Sequence, residues 1–210
     1  MSQTSDTLTI AVMNTKGGTT KTTTTMLLAH ALNTAGRSVE VWDADPQRSA
    51  TEWVEDATQA HGGPLPIQFQ TMNRASLSRR STAADVLLID TPPGDPGTQS
   101  AAAGRADLVI VPAEPAPMEV SRVWATVDAL GQSVPAVVLL ARVDSRTTLL
   151  AETIEALDDE GVPHFATTIP ARTDYKRMLG TWPTATSRRA AELLAPWAQL
   201  AAEIEEMSAE

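Results

Sequence analysis

The stretch from residue 13 to residue 23, M-N-T-K-G-G-T-T-K-T-T, constrains the fold more than any other part of the chain. It follows an apolar run, Leu8–Met13, that predicts a buried strand. It leads into Thr22–Ala35, where apolar residues recur at helical spacing. A glycine-containing loop between a strand and a helix turns backbone N–H groups toward a phosphate chain. This stretch, called the phosphate loop below, predicts an α/β fold with a nucleotide site at the start of the helix.

The placement of lysine supports a phosphate ligand. The chain has three lysines, and two of them, Lys16 and Lys21, lie in the phosphate loop. An ammonium group is a compact point charge that suits phosphate. We expect Lys21 to contact the β- and γ-phosphates and the Thr22 hydroxyl to bind Mg²⁺. The predicted nucleotide-binding residues of this loop are Lys16, Gly17, Gly18, Thr19, Thr20, Lys21, Thr22 and Thr23.

The loop departs from the general P-loop pattern G-x-x-x-x-G-K-[ST], which has glycine where this chain has Thr15 and Thr20. It matches the variant K-G-G-x-G-K-[ST]-[ST] at every position except Thr20. In this variant loop the chain resembles the ParA/MinD family of deviant Walker A ATPases. Taken alone, the motif leaves open a Gly-Thr-rich turn that binds nothing.

A second motif follows the next predicted strand, Ser38–Trp42. The strand, helix and strand predict a βαβ unit with parallel pairing. The segment D-A-D-P-Q, residues 43–47, continues into S-A-T-E-W and resembles the switch region of short ParA proteins. Carboxyl ends of strands face the ligand crevice in open α/β sheets, so Asp43 and Asp45 are expected to face one nucleotide. The alternative is that Asp45 only caps the following helix.

A third motif lies at the end of the apolar run Asp85–Asp90. This run predicts a buried strand that places Asp90 at the crevice, and it resembles a Walker B strand. The sequence D-T-P-P-G, which begins at Asp90, resembles a second switch. Residues 74–80 predict a short polar helix or loop whose arginines face solvent. The other predicted strands are Ile67–Gln70, near a sheet edge, Asp107–Pro112, Val134–Ala141 and Phe165–Ile169. The other predicted helices are Met118–Leu130, Thr147–Asp159 and Ser187–Met207.

These elements predict a single-domain α/β P-loop NTPase over residues 1–210. Its sheet is expected to be mostly parallel and twisted, with helices on both faces, and residues 1–7 are expected to be a flexible N-terminus. Residues 170–175 and 179–183 also resemble the family's C-terminal pattern, so the resemblance covers nearly the whole chain. The first strand leaves no room for an N-terminal helix-turn-helix.

Composition limits the cellular location and the kinds of partner that are expected for the protein. There is no cysteine, which excludes disulfides and thiolate metal sites. The N-terminus lacks the pattern of a signal peptide and no apolar run is long enough to span a membrane, so a cytoplasmic protein is expected. The last helix ends acidic, which disfavours the membrane-bound MinD branch. The net charge of −10 argues against nucleic-acid binding over the whole surface but leaves room for a local basic face.

The resemblance implies roles for individual residues. The catalytic set is Lys16, Lys21, Asp45 and Asp90, with Asp45 orienting the attacking water. Mg²⁺ is assigned to Thr22, Asp45 and Asp90, of which Asp90 belongs to the outer shell. Arg142 and Pro170 match positions near the base, although each also has a simpler interpretation as a surface arginine and a turn proline. The implied ligands are ATP or ADP and Mg²⁺.

The resemblance also implies a function. ATP is expected to drive a two-fold homodimer that binds double-stranded DNA non-specifically on the nucleoid, without a membrane. A ParB-type centromere-binding adaptor would stimulate hydrolysis in plasmid partition or another form of DNA segregation. The predicted DNA face comprises Arg172, Lys176, Arg177, Arg188 and Arg189, with Asp174 the one acidic residue before Glu192. Alternatives are a merely solvated basic patch, positioning of another cargo such as a protein compartment, and a non-hydrolysing binding module, which Thr20 keeps open.

Overall fold

The computed structural model describes residues 7–14, 16, 18, 20–117, 120–131 and 134–209 of the 210-residue chain. Strands and helices alternate along the described chain. The strands are β1 (Leu8–Val12), β2 (Val39–Asp43), β3 (Gln68–Thr71), β4 (Val86–Asp90), β5 (Leu108–Ala113), β6 (Ala136–Val143) and β7 (Ile169–Pro170). The helices are α1 (Lys21–Thr34), α2 (Ser49–His61), α3 (Arg74–Leu77), α4 (Pro96–Ala103), α5 (Val120–Gly131), α6 (Leu149–Asp159), α7 (Thr173–Met178) and α8 (Arg188–Ser208).

One sheet organises the described chain, in the order β3-β2-β4-β1-β5-β6-β7, and every described strand pairing in it is parallel. β1 lies near the centre, between β4 and β5. Its last residue, Val12, is level with Asp90, and Asp90 is level with Asp43 on the far side. Because the strands are parallel, the loops after β1, β2 and β4 leave the sheet at the same edge. The predicted α/β fold is confirmed.

Two hydrophobic cores cover the two faces of the sheet. Ile10 and Val12 of β1 belong to the core that packs α1, α2, α7 and α8 against one face. Ala11 and Met13 belong to the core that packs α3, α4, α5 and α6 against the other. Successive side chains of a strand point to opposite faces, so β1 is apolar throughout because both faces are covered. Helices on both faces are also confirmed.

The predicted strand Phe165–Ile169 is wrong in its extent. His164 forms an isolated bridge to Val138, and a two-residue strand, β7, follows at Ile169. Between them the backbone N–H groups of Ala166 and Thr167 donate to the Glu203 carboxylate, at 2.6 and 3.0 Å. A side chain of α8 therefore binds the backbone donors of two consecutive residues, which interrupts the strand between His164 and Ile169.

Two further features were not predicted as helices. α4 begins where Asp95 accepts hydrogen bonds from the N–H groups of Gly97 and Thr98, with Pro96 in the first turn. α7 is a single short helix after β7. The flexibility predicted for residues 1–7 falls outside the described residues except at Thr7, whose hydroxyl donates to the Ala84 carbonyl. No described helix has the length and apolar character needed to cross a membrane.

Candidate nucleotide-binding site

A cleft of about 880 Å³ lies at the carboxyl edge of the sheet. It is bounded by the loops after β1, β2 and β4, by the ends of β6 and β7, and by α7. This is the position at which open parallel sheets bind ligands. The predicted site residues that line it are Gly18, Thr20, Lys21, Thr22, Thr23, Asp45, Arg142 and Pro170. Gly17 and Thr19 lie outside the described residues.

The start of α1 is shaped for an anion. Gly18 has φ +76° and Thr20 has φ 64°, so the chain turns through left-handed conformations directly before the helix. Thr20 therefore adopts a conformation that ordinarily favours glycine. The first turn of α1 has neither a side-chain cap nor an acidic residue. Its N–H groups and the positive end of the helix dipole are therefore left for a ligand.

Lys21 and Thr22 stand at the floor of the cleft. Lys21 is only 7% exposed, and its ammonium donates to the Lys16 carbonyl at 3.4 Å. Burial lowers the pKa of Lys21, while the carboxylates of Asp90 and Asp45 act in the opposite direction. The Thr22 hydroxyl donates to Asp90 Oδ2 at 2.7 Å. A threonine hydroxyl held by a carboxylate at the first turn of the helix fits the predicted Mg²⁺ position.

Asp90 is fully buried at the end of β4 and reaches the cleft through Thr22. Burial raises the pKa of Asp90 to about 7, and the nearby carboxylate of Asp43 adds to that rise. The Thr22 hydrogen bond and the Lys21 charge oppose it. A divalent cation beside Thr22 would favour the ionised form of this carboxyl group.

The two aspartates after β2 have different surroundings. Asp43 is 2% exposed, and its Oδ2 accepts from the Thr51 N–H at 2.8 Å and the Thr51 hydroxyl at 2.5 Å. Its Oδ1 accepts from the Asp45 N–H at 3.0 Å. The expectation that both carboxylates face the nucleotide is therefore wrong for Asp43, which fastens α2 to the end of β2.

Asp45 lines the cleft, as predicted, and its Oδ1 accepts from the Gln47 N–H at 2.8 Å. It does not cap α2. The residue at that position is Arg48, which has φ 59° and makes no side-chain cap hydrogen bond. The capping alternative for Asp45 is therefore wrong, and the carboxylate is held by a local turn at the edge of the cleft.

Gln99 of α4 was missed by the sequence reasoning. Its side-chain N–H groups donate to the Asn14 carbonyl at 3.3 Å and the Pro92 carbonyl at 3.1 Å. It therefore joins the phosphate loop to the second switch. The Asp-Pro pair at 95–96 is a helix-start signal that would have placed Gln99 one turn into α4.

Arg142 and Pro170 come from the neighbouring strands β6 and β7. Arg142 lies at an irregularity in the pairing of these strands and has φ 58°. Its guanidinium donates to Glu114 at 2.6 Å, a partner that follows β5 and was not predicted. Both predicted residues line the cleft, and their contact with a base stays a prediction.

The predicted DNA face is divided by the structure. Arg172 and Lys176 line the nucleotide cleft. Arg189 makes two hydrogen bonds to Asp174, at 2.9 and 3.0 Å, and Arg177 lies 3.7 Å from the same carboxylate. Arg188 pairs with Glu192 at 2.9 Å. The stretch therefore carries less uncompensated positive charge than the sequence predicted.

Comparison with known proteins agrees with this geometry. The family described as the CobQ/CobB/MinD/ParA nucleotide binding domain matches residues 10–181. The "Maintenance of carboxysome distribution protein A" of Gloeobacter kilaueensis is 37% identical over 174 residues, covering 80% of this chain and 79% of that protein.

Two solved structures share the fold. The cell division ATPase MinD of Pyrococcus furiosus has a TM-score of 0.77 at 18% identity, over 95% of this chain and 99% of that chain. A putative plasmid partition protein of Borrelia burgdorferi B31, bound to AMPPNP, has a TM-score of 0.71 at 16% identity, over 93% and 98%. The family match spans the phosphate loop, both switch segments, Arg142 and Pro170. The chain therefore belongs to the CobQ/CobB/MinD/ParA nucleotide-binding family and is a ParA/MinD-type ATPase.

Proposed function

We propose that this protein is a cargo-positioning ATPase, in which ATP and Mg²⁺ assemble a dimer on DNA and hydrolysis releases it. The observation that carries the proposal is the cleft, where Lys21, Thr22 and Asp45 meet above the buried Asp90. This set combines phosphate charge neutralisation, a metal ligand and a carboxylate for water in one place.

The residues present fit Mg²⁺-ATP. Lys21 and the backbone N–H groups at the start of α1 bind the phosphates, and Gly18 lets the loop turn without a side chain. Thr22 would hold Mg²⁺, with its hydroxyl positioned by Asp90. Lys16, Gly17, Thr19, Thr20 and Thr23 complete the loop. ATP, when bound, supplies the phosphoryl group for transfer to water.

Asp45 orients the attacking water. Phosphoryl transfer depends mainly on positioning and on charge stabilisation, so a carboxylate at the edge of the cleft is enough for this role. Asp43 holds the Asp45 backbone and fixes the start of α2 through Thr51. Movement of α2 is therefore linked to the position of Asp45.

The family resemblance supports the remaining steps. Two protomers meet across their nucleotide clefts, bind double-stranded DNA without sequence preference, and occupy the nucleoid in the cytoplasm. An adaptor protein that marks the cargo stimulates hydrolysis. Arg142 and Pro170 border the base in this arrangement, which their place on the rim of the cleft supports.

Two cargoes are supported by different relatives. The 37% identity to a carboxysome distribution protein favours positioning of a protein compartment. The shared fold with a putative plasmid partition protein, and the D-x-D-P-Q segment, support plasmid partition with a ParB-type adaptor. The same switch chemistry serves both, so the adaptor defines the cargo.

Phosphate release with and without DNA tests the enzymatic part. We expect the wild-type protein to release phosphate from Mg²⁺-ATP. Asp45→Ala should reduce this by at least about 10²-fold, since a positioned base contributes that much or more. Glu52→Ala is the matched control because Glu52 is an exposed carboxylate of α2 in the same cleft.

The Asp45→Ala protein should stay dimeric and DNA-bound with ATP, because the phosphate contacts of Lys21 and the Mg²⁺ contact of Thr22 remain. Wild-type turnover in this variant would move the water-orienting role elsewhere, with Asp90 the first candidate. ATP binding without phosphate release by the wild type, with or without DNA, would instead favour the non-hydrolysing module that Thr20 leaves open.

A further inference from the structure

One long segment of this acidic protein contains no acidic residue. All 26 aspartates and glutamates lie outside residues 57–84, although the chain has a net charge of −10. The same segment contains Arg74, Arg79 and Arg80. It forms β3, at one edge of the described sheet, and α3 with the turn that follows. Positive charge is therefore concentrated at this edge.

Arg79 and Arg80 stand on an anchored turn. Leu77 is completely buried in the core beneath α3. Asn73 accepts from the Ser76 N–H at 2.9 Å and caps the helix. The N–H groups of Arg79 and Arg80 both donate to the Ser76 carbonyl, at 3.0 and 3.1 Å. The two exposed arginines are thus held in fixed positions by the backbone.

Within the described ranges, no carboxylate forms an ion pair with the guanidinium group of Arg79 or Arg80. The carboxylates of β2, of the residue before β4 and of the α4 cap are engaged elsewhere. Asp85 accepts from the N–H and hydroxyl of Ser38, Asp95 caps α4, and the buried Glu40 accepts from Trp42 and Gln70. This contrasts with Arg188 and Arg189, each of which already pairs with a carboxylate.

The chemistry of the surface fits a nucleic-acid backbone better than a protein partner. Exposed serines, Ser78 and Ser81, flank the two arginines. Arginine and serine are typical donors to DNA phosphates. Protein interfaces usually have an apolar or aromatic centre. The large exposed hydrophobic side chains of the described chain lie in other segments, at Trp124, Leu149, Leu179 and Met207.

We infer that residues 78–81, with Arg79 and Arg80 at their centre, are a contact surface for the phosphate backbone of double-stranded DNA. The inference rests on the proposed function, because it assigns the surface through which the ATP-bound protein holds DNA. The acidic remainder of the protein repels the duplex and confines it to this edge of the sheet.

The surface is also connected to the nucleotide site. α3 packs on α4, and the Arg74 guanidinium lies so close to Gly97 that a Cβ added there would be 2.5 Å from Nη1. α4 directly follows the second switch, D-T-P-P-G. A nucleotide-dependent shift of that switch would be passed to α3, so DNA binding through this surface depends on the bound nucleotide.

Fluorescence anisotropy with a labelled duplex tests the inference. The full-length protein is used with Mg²⁺ and a non-hydrolysable ATP analogue across a salt series. The variant is Arg79→Gln with Arg80→Gln. The matched control is Arg188→Gln with Arg189→Gln, which removes the same charge from the paired arginines. Nucleotide affinity and circular dichroism confirm that both variants are folded.

We expect the Arg79/Arg80 variant to bind DNA at least about tenfold more weakly. Its slope of log K against log salt should be less steep by about 1.8 for each protomer on the duplex, since each lost phosphate contact contributes about 0.9. The control should stay close to the wild type. Basal phosphate release should be unchanged in both, because neither pair lines the cleft.

The opposite pattern would overturn the inference, move the DNA surface to α7 and α8, and leave the proposed function intact. Equal binding by both variants and the wild type would also overturn it. A wild-type protein that binds no duplex with the ATP analogue would refute the DNA-binding part of the proposed function itself, and this inference with it.

Discussion

Three residues other than glycine adopt left-handed backbone conformations in the described chain: Thr20, Arg48 and Arg142. Thr20 and Arg48 lie in loops that follow strands, and Arg142 lies near the end of β6, all at the carboxyl edge of the sheet. Such conformations cost on the order of 1–3 kcal/mol each and are concentrated at functional sites. Thr20 is the most unusual, because a branched Cβ crowds this conformation more than a long unbranched side chain does.

Thr20→Gly should tighten ATP binding. Glycine adopts φ 64° without the steric cost, so a loop held in this conformation by the ligand would bind with less opposing strain. Each 1.4 kcal/mol relieved raises the affinity about tenfold. Calorimetry of ATP binding to the variant and the wild type measures the effect. Arg48→Gly is the control, since it relieves a similar conformation outside the phosphate loop.

The turnover of Thr20→Gly separates two explanations. If threonine only strains the loop, the affinity rises and the turnover stays near that of the wild type, which is the result we expect. If threonine turns an amide away from the phosphates, the turnover rises as well. Equal or weaker affinity in the glycine variant would show that the loop accommodates threonine without strain.

At the scale of elements, α1 is fastened to the segment before α8 through His30. His30 is buried, its Nε2–H donates to the Pro183 carbonyl at 2.9 Å, and its ring lies 5.2 Å from that of Trp182. Burial lowers the pKa of His30, and the Pro183 hydrogen bond opposes this only in part. The folded protein therefore favours the neutral imidazole.

This gives His30 an acid-sensitive contribution to stability. In the unfolded chain the imidazole titrates near 6.5, and in the folded chain at a lower pH. Between these values the unfolded state binds the extra proton, so the contribution of His30 to the free energy of unfolding falls as the pH decreases below about 6.5. The raised pKa of Asp90 acts in the opposite direction, because there the folded state binds the extra proton. The stabilisation by neutral His30 is complete above that pH and is lost as the pH approaches the folded pKa.

His30→Gln should be more stable at pH 5.5, relative to its own stability at pH 7.5, than the wild type is, since glutamine keeps a side-chain N–H and has no charge to gain. Urea unfolding at both pH values measures it. His61→Gln, a change at an exposed histidine near the end of α2, is the control and should keep the wild-type difference. An unchanged pH difference in His30→Gln would assign the acid sensitivity to other groups.

The sequence predicted the elements whose signals are local. Five strands could be predicted because they are mostly apolar, as strands covered on both faces of a sheet usually are: β1, β2, β4, β5 and β6. The prediction around Phe165 was too long because Glu203, far along the chain, accepts from the backbone N–H groups of residues 166 and 167.

Within the candidate site, the phosphate loop and Asp45 were predicted from motifs. The contacts of Asp43 with Thr51 and of Gln99 with Asn14 depend on the packing of α2 and α4, which no local pattern specifies.

Over the whole molecule, the nucleotide cleft, the arginine-containing segment and the acidic end of the chain lie on different elements. The nucleotide cleft opens at the carboxyl edge of the sheet, the acid-free segment forms the β3 edge, and α8 carries the acidic residues Glu203, Glu205 and Glu206. A protein with a net charge of −10 repels its own copies and DNA over most of its surface. Association must therefore occur where positive charge is available, and the mouth of the cleft is one such place.

Lys16 is the residue expected to join two copies. It is exposed, whereas Lys21 is buried at the floor of the cleft. The Lys16 backbone binds within its own protomer, with the N–H donating to Asn14 and the carbonyl accepting from Lys21. The phosphates of that protomer are served by Lys21. We expect the Lys16 side chain to reach the γ-phosphate of the partner across a two-fold interface, as an arginine finger does.

Lys16→Ala should therefore leave ATP binding largely intact and abolish ATP-dependent dimers, because alanine keeps the backbone contacts and removes the ammonium. Calorimetry measures ATP binding, and sedimentation velocity with Mg²⁺ and a non-hydrolysable ATP analogue measures the dimer. Lys176→Ala is the matched control, since Lys176 is the third lysine of the chain and lines the same cleft. It should dimerise like the wild type, whereas undiminished dimerisation of Lys16→Ala would refute a role across the interface.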